Sequence, residues 1–105
     1  MIETSKDQEF KADKGKLLAA IPFEDFPDAL LELFGVCTFG AEKYSRSSWR
    51  KVDGRETRYN DARARHFAAS FYEDKDPESG YHHLAHEAWN CLALLQLKLE
   101  EKKAT

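Results

Sequence analysis

The chain has little of what marks several large classes of protein. Its 105 residues include two cysteines, three prolines, five glycines and one methionine. Cys37 and Cys91 lie in apolar stretches and lack the spacing of a zinc site, so we interpret them as small core residues in a reducing compartment. This cysteine content excludes a small secreted domain held together by disulfides.

Long apolar runs and an excess of positive charge are also missing. No apolar run approaches the ~20 residues of a membrane span, and residues 1–16 are too charged for a signal peptide. The sixteen Lys and Arg are matched by nineteen Asp and Glu, giving a formal net charge of −3, which argues against a nucleic-acid coat. We therefore expect a soluble cytoplasmic protein with no membrane or nucleic-acid partner.

Several catalytic motifs are absent as well. The sequence has no Gly-x-Ser-x-Gly elbow for a nucleophilic serine and no Gly-x-x-x-x-Gly-Lys phosphate loop. It also lacks the adjacent His-Asp pair that a phosphohydrolase of the HD type would need. These absences leave metal-assisted or proton-transfer chemistry as the main catalytic option.

What is present is helical periodicity, without strand-like alternation, internal repeats or low-complexity segments. A polar tail over residues 1–16 is followed by one all-α domain over residues 17–105, which is the length of a single domain. Residues 45–56 have loop composition around Trp49, which either plugs the rim of the core or stacks on a ligand base. The remaining patterns predict an extended lead-in over 17–26 and helices over 27–45, 57–73 and 76–99, the last capped by Asp76 with Pro77 in its first turn.

The last helix carries a polar stripe on a face that we expect to be packed. His83, His86, Glu87 and Asn90 lie within about 50° of one line along the helix, and that line continues into Leu94 and Leu97. An unpaired buried polar group costs ~1 to 3 kcal/mol, so these side chains need partners or line a cleft that holds a metal or ligand. A hydrogen-bonded histidine pair between helices is the structural alternative.

Potential ligands of a cation occur together with basic residues that could hold phosphate. Carboxylates and Asn favour Mg²⁺ or Mn²⁺, whereas several imidazoles favour Mn²⁺ or a softer metal. The combination fits metal-assisted attack of water on a phosphoryl group, with cations stabilising the transition state. The potential ligands are Glu42, His66, His83, His86, Glu87 and Asn90, and the cations are Lys16, Lys43, Arg58 and Arg65.

A series of short motifs occurs in order along residues 13–99. The motifs are Asp13-Lys-Gly-Lys16, Gly40-Ala-Glu-Lys-Tyr44, Trp49, Arg58-Tyr-Asn-Asp61, Arg65-His66, Asp76-Pro-Glu-Ser-Gly80, His83-Leu-Ala-His86 and Asn90. This series resembles the phage dATP/dGTP diphosphohydrolases, also called MazZ, a family similar to the MazG-like all-α nucleotide pyrophosphatases. The most specific part is the spaced run from Asp76 to Asn90.

The resemblance implies an enzyme that cleaves a deoxypurine triphosphate between its α and β phosphates, with Mg²⁺ or Mn²⁺ as cofactor. It implies a compact three- to four-helix bundle of the MazG-like kind. Because three helices cannot enclose a triphosphate, we expect this bundle to be completed by oligomerisation into a homodimer or homotetramer. The resemblance also implies a phage or prophage role in the host cytoplasm, where removal of dATP lets a modified adenine enter DNA.

Carried onto this chain, the resemblance and the residue chemistry together assign three sets of site residues. MazG-like enzymes hold metal with Glu-x-x-Glu and Glu-x-x-Asp motifs. Glu87-Ala-Trp-Asn90 is similar to the second motif, and the segment corresponding to the first reads Arg63-Ala-Arg-His66. The sets are catalytic His83, His86, Glu87 and Asn90; metal-binding Glu42, His66, Glu87 and Asn90; and substrate-binding Lys16, Lys43, Tyr44, Trp49, Arg58 and Arg65.

Two functions of other classes stay open at this point. One is a nucleotide-binding protein on the same scaffold, catalytically impaired because its metal site has lost carboxylates. The other is a helical interaction protein whose histidine stripe is a packed interface between subunits.

Overall fold

In the computed structural model, which describes residues 14–104, the regular elements are all helical. Residues 1–13 of the predicted N-terminal tail lie outside the described residues. The predicted all-α fold class is confirmed. In chain order the elements are α1 (Ile21–Asp25), α2 (Pro27–Lys43), a short 3₁₀ turn (Ser48–Lys51), α3 (Arg55–Ala69) and α4 (His83–Ala104).

Two helices pack on α4, with α3 making the larger contact and α2 the smaller, whereas α1 packs on α2. His83 and Asn90 are buried on the inner face of α4, with 4% and 5% of their surface exposed. This confirms that the polar stripe of the last helix points into packing. The buried apolar side chains of the described residues are Val36, Ala85, Ala93 and Leu97.

The start of α4 differs from the prediction. The sequence predicts a cap at Asp76 and a first helical turn at Pro77, whereas α4 begins at His83. The Asp76 carboxylate accepts a hydrogen bond from Ser79 N at 2.9 Å, and the Asp76 carbonyl accepts one from Gly80 N at 2.8 Å. Gly80 has φ = +79°, a left-handed conformation that glycine adopts without steric cost. These two hydrogen bonds close residues 76–80 into a turn. The sequence Asp-Pro can begin a turn as well as a helix.

Two side chains of α2 hold the segment that leads into α4. Glu32 Oε1 accepts hydrogen bonds from His82 N at 3.0 Å and from His82 Nδ1 at 2.6 Å. Lys43 holds the turn itself by an ion pair, with its Nζ 2.9 Å from Glu78 Oε2. Glu32 and Lys43 are eleven positions apart, which places them on one side of α2 three turns from each other.

On α2, between Glu32 and Lys43, Gly35 lies in close contact with Tyr81. A Cβ atom at position 35 would lie 2.3 Å from atoms of the Tyr81 ring, well inside van der Waals contact. Glycine at this position therefore lets the Tyr81 ring lie against the backbone of α2. The three contacts fix the turn and the first residues of α4 relative to α2.

Several local predictions were wrong. Residues 17–26 are not fully extended, since they contain α1 with Pro22 in its first turn, where the missing N–H costs nothing. The second long helix runs from Arg55 to Ala69 rather than from 57 to 73. Cys37 and Cys91 are exposed free thiols rather than core residues. Each follows a buried position, so it lies on a part of its helix that turns away from the packed face.

One face of α4 exposes a line of large apolar side chains. Together with Ala88, they recur at the spacing of one helix face. The exposed line consists of Leu84, Leu92, Leu95 and Leu99, and each of these leucines is between 47% and 62% exposed. A groove of about 310 Å³ opens beside them.

Within residues 14–104, no helix combines the length and hydrophobicity needed to cross a membrane.

Candidate metal and phosphate site

Three of the four histidines converge where the C-terminal half of α3 passes the first turn of α4. The rings of His66 and His86 are stacked, with centroids 4.5 Å apart and an interplanar angle of 9°. His83 lies beside them, and its ring centroid is 5.1 Å from that of His66. The fourth histidine, His82, points instead to Glu32 of α2. The structure thus brings together the three histidines that the sequence analysis selected as site residues.

A chain of hydrogen bonds runs through the buried His83 ring. Its Nδ1 lies 2.9 Å from His66 Nδ1, and its Nε2 lies 3.0 Å from Glu73 Oε1. Both ring nitrogens of His83 therefore have partners. This is the hydrogen-bonded histidine pair between helices that the sequence analysis named as the structural alternative, and it does not exclude a metal between the same atoms.

The turn before α4 adds a carboxylate and a hydroxyl to this cluster. Ser79 Oγ and His86 Nε2 share a hydrogen bond of 2.7 Å, and Asp76 Oδ2 lies 3.8 Å from the same nitrogen. Ser79 N also holds the Asp76 carboxylate in place. The closed turn is therefore what brings Asp76 to the histidines, which a helix starting at Pro77 would not do.

The environment sets the charge of the cluster. Burial lowers the pKa of His66, and the neighbouring His86 and His83 lower it further. Burial also lowers the pKa of His86, although Asp76 opposes this effect. For Asp76, burial acts to raise the pKa, but hydrogen bonds from Ser79 and the adjacent His86 and His66 outweigh it and hold the pKa below its usual value. At neutral pH the imidazoles of His66 and His86 are therefore neutral and the Asp76 carboxylate is ionised.

These residues fit a divalent cation. Ligand atoms of His66, Asp76 and His83 all lie within 4.8 Å of one another. Neutral imidazole and ionised carboxylate are the states in which these groups bind metal. Two imidazoles suit Mn²⁺ or a softer cation better than Mg²⁺, which prefers oxygen ligands in a regular octahedron. The donor set is thus more suited to Mn²⁺ than to Mg²⁺.

The other predicted metal ligands are not part of that three-residue group. Glu42 is exposed near the C-terminus of α2, and Glu87 is half-buried on α4. Asn90 donates a hydrogen bond from Nδ2 to the carbonyl of His86 at 2.8 Å, within its own helix. Its amide therefore supports the backbone at the turn that carries His86.

The predicted phosphate-binding cations occupy different places around the site. Lys43 is paired with Glu78 of the turn, and this hydrogen bond raises the pKa of the lysine. Arg65 is exposed on α3 next to His66, and Arg58 is exposed two turns earlier on the same helix. Lys16 is exposed in the segment before α1. Lys43 and Arg65 are thus the cations that adjoin the histidine cluster.

The two predicted base-stacking aromatics differ in their surroundings. Trp49 belongs to a half-buried aromatic cluster, with ring centroids 5.9 Å from Trp89 and 6.1 Å from Tyr59. Tyr59 OH also donates a hydrogen bond to the Trp49 carbonyl at 2.5 Å. Tyr44, in contrast, is 72% exposed at the end of α2, next to Lys43. The surroundings of Trp49 are those of a residue that seals the rim of the core, whereas Tyr44 is largely exposed, with Lys43 Nζ 5.4 Å from the centre of its ring.

Sequence reasoning missed Asp76, Glu73 and Ser79 as members of the cluster. Asp76 was interpreted as a helix cap and Glu73 as part of a helix end. The sequence contains a signal for Asp76, because the segment Asp76-Pro-Glu-Ser-Gly80 is as typical of a turn as of a helix start. Nothing in the local sequence predicts Glu73, because its contact depends on how α3 and α4 meet.

Comparison with known proteins assigns the chain to a family. Residues 5–105 match the family model described as "dATP/dGTP diphosphohydrolase, N-terminal". No curated protein and no solved structure matches the chain. The match spans the described helices and the whole histidine and carboxylate cluster. The chain belongs to the dATP/dGTP diphosphohydrolase N-terminal family.

Proposed function

We propose that this protein hydrolyses dATP or dGTP between the α and β phosphates, releasing the deoxynucleoside monophosphate and pyrophosphate. The single observation that carries the proposal is the cluster of His66, Asp76, His83 and His86, which combines cation ligands with a proton acceptor in a chain of this family. A divalent cation, Mg²⁺ or Mn²⁺, would be held by that cluster and would neutralise charge on the phosphates.

The cations beside the cluster support a triphosphate as the ligand. Hydrolysis makes pyrophosphate the leaving group, so negative charge grows on the bridging oxygen as its bond to the α phosphorus breaks. Positive groups aimed at that charge lower the barrier. Arg65 can grip two phosphate oxygens at once, and Lys43 can exchange Glu78 for a phosphate oxygen. Lys16 and Arg58 are further candidates for contacts with the substrate.

His86 is the best candidate for the residue that accepts the proton from water. Its pKa is lowered by burial, so the imidazole is neutral and can act as a base near pH 7. As the water oxygen bonds to the α phosphorus and the bond to the β-phosphate oxygen breaks, Ser79 Oγ takes the proton of the water and passes its own proton to His86 Nε2, which lies 2.7 Å away. Glu87 and Asn90 would support this turn of α4.

Recognition of the purine is assigned to Tyr44. Its exposed ring lies one residue after Lys43, so a base stacked on it would keep the phosphates near the cluster. Trp49 would contribute indirectly, by holding the loop that follows Tyr44 against Tyr59 and Trp89.

We further propose that the active protein is a homodimer or homotetramer. The exposed leucines of α4 form a stripe typical of a helix that packs against another helix, and a contiguous apolar surface of this kind marks an interface. The occupant that fits is α4 of a second copy, because an identical stripe is complementary in length and spacing under two-fold symmetry.

A nucleotide-binding protein without hydrolysis is the second candidate. It is favoured by one observation: among the described residues, no fully buried side-chain nitrogen or oxygen lacks a hydrogen-bond partner. The fully buried polar atoms of the cluster therefore have hydrogen-bond partners without a cation. Both functions predict that deoxynucleotides raise the melting temperature, but only an enzyme makes that rise transient in the presence of Mg²⁺ or Mn²⁺.

The test is incubation of the protein with each of the four deoxynucleoside triphosphates and either metal, with products separated by chromatography. We expect monophosphate and pyrophosphate from dATP or dGTP, and no diphosphate. Intact nucleotides with every metal, from a folded protein whose melting temperature they raise, would establish the binding function instead. Absence of any nucleotide effect would favour a helical interaction protein.

A further inference from the structure

We propose that His66 Nδ1, His83 Nδ1 and the Asp76 carboxylate bind one Mn²⁺-class cation directly, and that Glu73 is the outer carboxylate that orients His83. The inference deepens the proposed function and rests on it for the role of the cation in hydrolysis. Cation binding itself needs no nucleotide and can be measured separately.

The partners of His83 define which of its nitrogens can bind a cation. Carboxylate oxygens accept hydrogen bonds, so the contact of 3.0 Å with Glu73 Oε1 is made by a proton on His83 Nε2. The lone pair that can bind a cation is then the one on Nδ1, which is directed at His66. This arrangement of carboxylate, imidazole and open nitrogen is the one that metal-binding histidines commonly adopt.

The same constraint fixes the proton of His66. Because His83 Nδ1 is an acceptor, the contact of 2.9 Å between the two Nδ1 atoms requires the proton on His66 Nδ1. When a cation takes the place of this proton, the proton moves through solvent to Nε2 of the same ring. His83 keeps its tautomer, His66 changes its tautomer, and no proton is released overall.

The spacing of the two nitrogens is close to that of a bound state. Two nitrogens that are each about 2.1 Å from one cation lie roughly 3.0 to 3.4 Å apart in octahedral or tetrahedral geometry. The observed distance of 2.9 Å between the two Nδ1 atoms therefore needs to increase only slightly when a cation binds. Asp76 completes the set by a side-chain rotation, since its ligand oxygen lies within 4.8 Å of the histidine atoms.

The rings around the site are already held in place. His66 is stacked on His86, and the side chain of His83 is 5% exposed. One Asp76 oxygen accepts from Ser79 N, which leaves the carboxylate further lone pairs for a cation. A site of this kind is ordered before the cation arrives, so binding costs little side-chain entropy.

The experiment is calorimetric titration of chelator-treated, metal-free protein with Mn²⁺ alone, together with thermal unfolding. We expect one Mn²⁺ per chain and a higher melting temperature. His66→Gln and Asp76→Asn should abolish measurable binding, whereas Glu73→Gln should weaken it by about 10- to 100-fold. The matched controls are His82→Gln and Asp74→Asn. His82 bonds to Glu32, and Asp74 is an exposed neighbour that contributes its backbone carbonyl to His83 N, so both should bind like the unaltered chain.

A second readout concerns the tautomers. With Zn²⁺ as a diamagnetic probe, nitrogen-15 spectra of the imidazoles should show the proton of His66 moving from Nδ1 to Nε2, and that of His83 staying on Nε2. Unchanged tautomers, failure of the folded protein to bind either cation, or full binding by His66→Gln and Asp76→Asn would overturn the proposal. Cation binding without nucleotide hydrolysis would remove only the proposed function, and hydrolysis by variants that bind no Mn²⁺ would remove only this site.

Discussion

His66 on α3 and His83 on α4 meet through their Nδ1 atoms at a distance of 2.9 Å. The contact joins the two helices that share the largest interface in the fold. The same two side chains are the cation ligands that we propose, so in this proposal stability and chemistry depend on one pair of residues.

The contact of Gly35 on α2 with Tyr81, in the segment before α4, predicts that replacement by alanine has opposite effects on stability at two glycines of α2. Gly35→Ala places a methyl group against the Tyr81 ring, so it should destabilise the protein by about 1 to 3 kcal/mol. Gly40→Ala meets no atom within 4 Å and should stabilise the helix by about 0.5 to 1 kcal/mol. Urea unfolding gives both free energies. Combining Gly35→Ala with Tyr81→Ala should recover part of the lost free energy of unfolding. A stabilising Gly35→Ala would show that the Tyr81 ring does not lie against Gly35.

The histidine cluster predicts that the metal-free protein loses stability as the pH falls from about 7.5 to 5.5. Burial lowers the pKa of His66 and His86 below the ordinary value of about 6.5. In this range the unfolded chain binds more protons than the folded one, so the free energy of unfolding decreases with decreasing pH. The groups that face these two rings are His83, Asp76, Arg65, Glu78 and Glu32.

Urea unfolding with chelator present, at intervals across this pH range, measures the effect. The double variant His66→Gln with His86→Gln should flatten the profile. Asp76 and Glu32 have lowered pKa values in the folded protein, so they contribute stability above the ordinary carboxyl pKa. This stability is lost only in a more acidic range, as the pH falls from the ordinary carboxyl pKa toward the lowered pKa values of the folded protein. A free energy of unfolding that stays constant or increases toward pH 5.5 is incompatible with buried neutral imidazoles.

The exposed leucine stripe predicts that charge at its centre dissociates the oligomer. Leu92→Glu with Leu95→Glu puts unpaired carboxylates into an apolar interface, and burial of such charges is strongly unfavourable. Light scattering after gel filtration should show a dimer or tetramer for the unaltered chain and a monomer for this variant. Lys98→Glu, an exposed position on the same helix, is the control and should remain assembled. A monomeric unaltered chain at micromolar concentration contradicts the proposed assembly.

Asn90 distinguishes the two possible metal sites on this scaffold. Asn90→Asp restores the Glu-x-x-Asp motif, so a carboxylate site of the MazG-like kind should then bind Mg²⁺ more tightly. The structure favours another result, because Asn90 is buried and bonded to the His86 carbonyl. We expect the change to destabilise the protein, since a buried carboxylate replaces a donor, with no gain in Mg²⁺ affinity. Calorimetric titration with Mg²⁺ decides between the sites, and tighter binding would locate the cation at Glu87 and Asp at position 90.

The part of the fold that the sequence predicts is the part that periodicity controls. The extent of α2 and the inward face of α4 depend on apolar spacing, which local sequence contains. The start of α4 does not, because Asp76-Pro77 can cap a helix or begin a turn. Contacts of residues 78–82 with Glu32, Gly35 and Lys43 of α2 decide between them.

The same division holds for the site. His66, His83 and His86 were predicted, since they lie on helix faces that pack. Asp76 and Glu73 were missed because their positions depend on the turn and on the meeting of α3 with α4. Asn90 was selected from the polar stripe of the last helix and Glu42 as a potential cation ligand, and neither is part of the group formed by His66, Asp76 and His83.

The measurement that tests the account most directly is the hydrolysis of dATP and dGTP by Asp76→Asn and by Asp74→Asn, with Mn²⁺ present and both proteins shown to be folded. The account predicts monophosphate and pyrophosphate from the unaltered chain and from Asp74→Asn, and intact nucleotide from Asp76→Asn. Equal rates for the two variants would place the chemistry away from the histidine and carboxylate cluster and contradict the account.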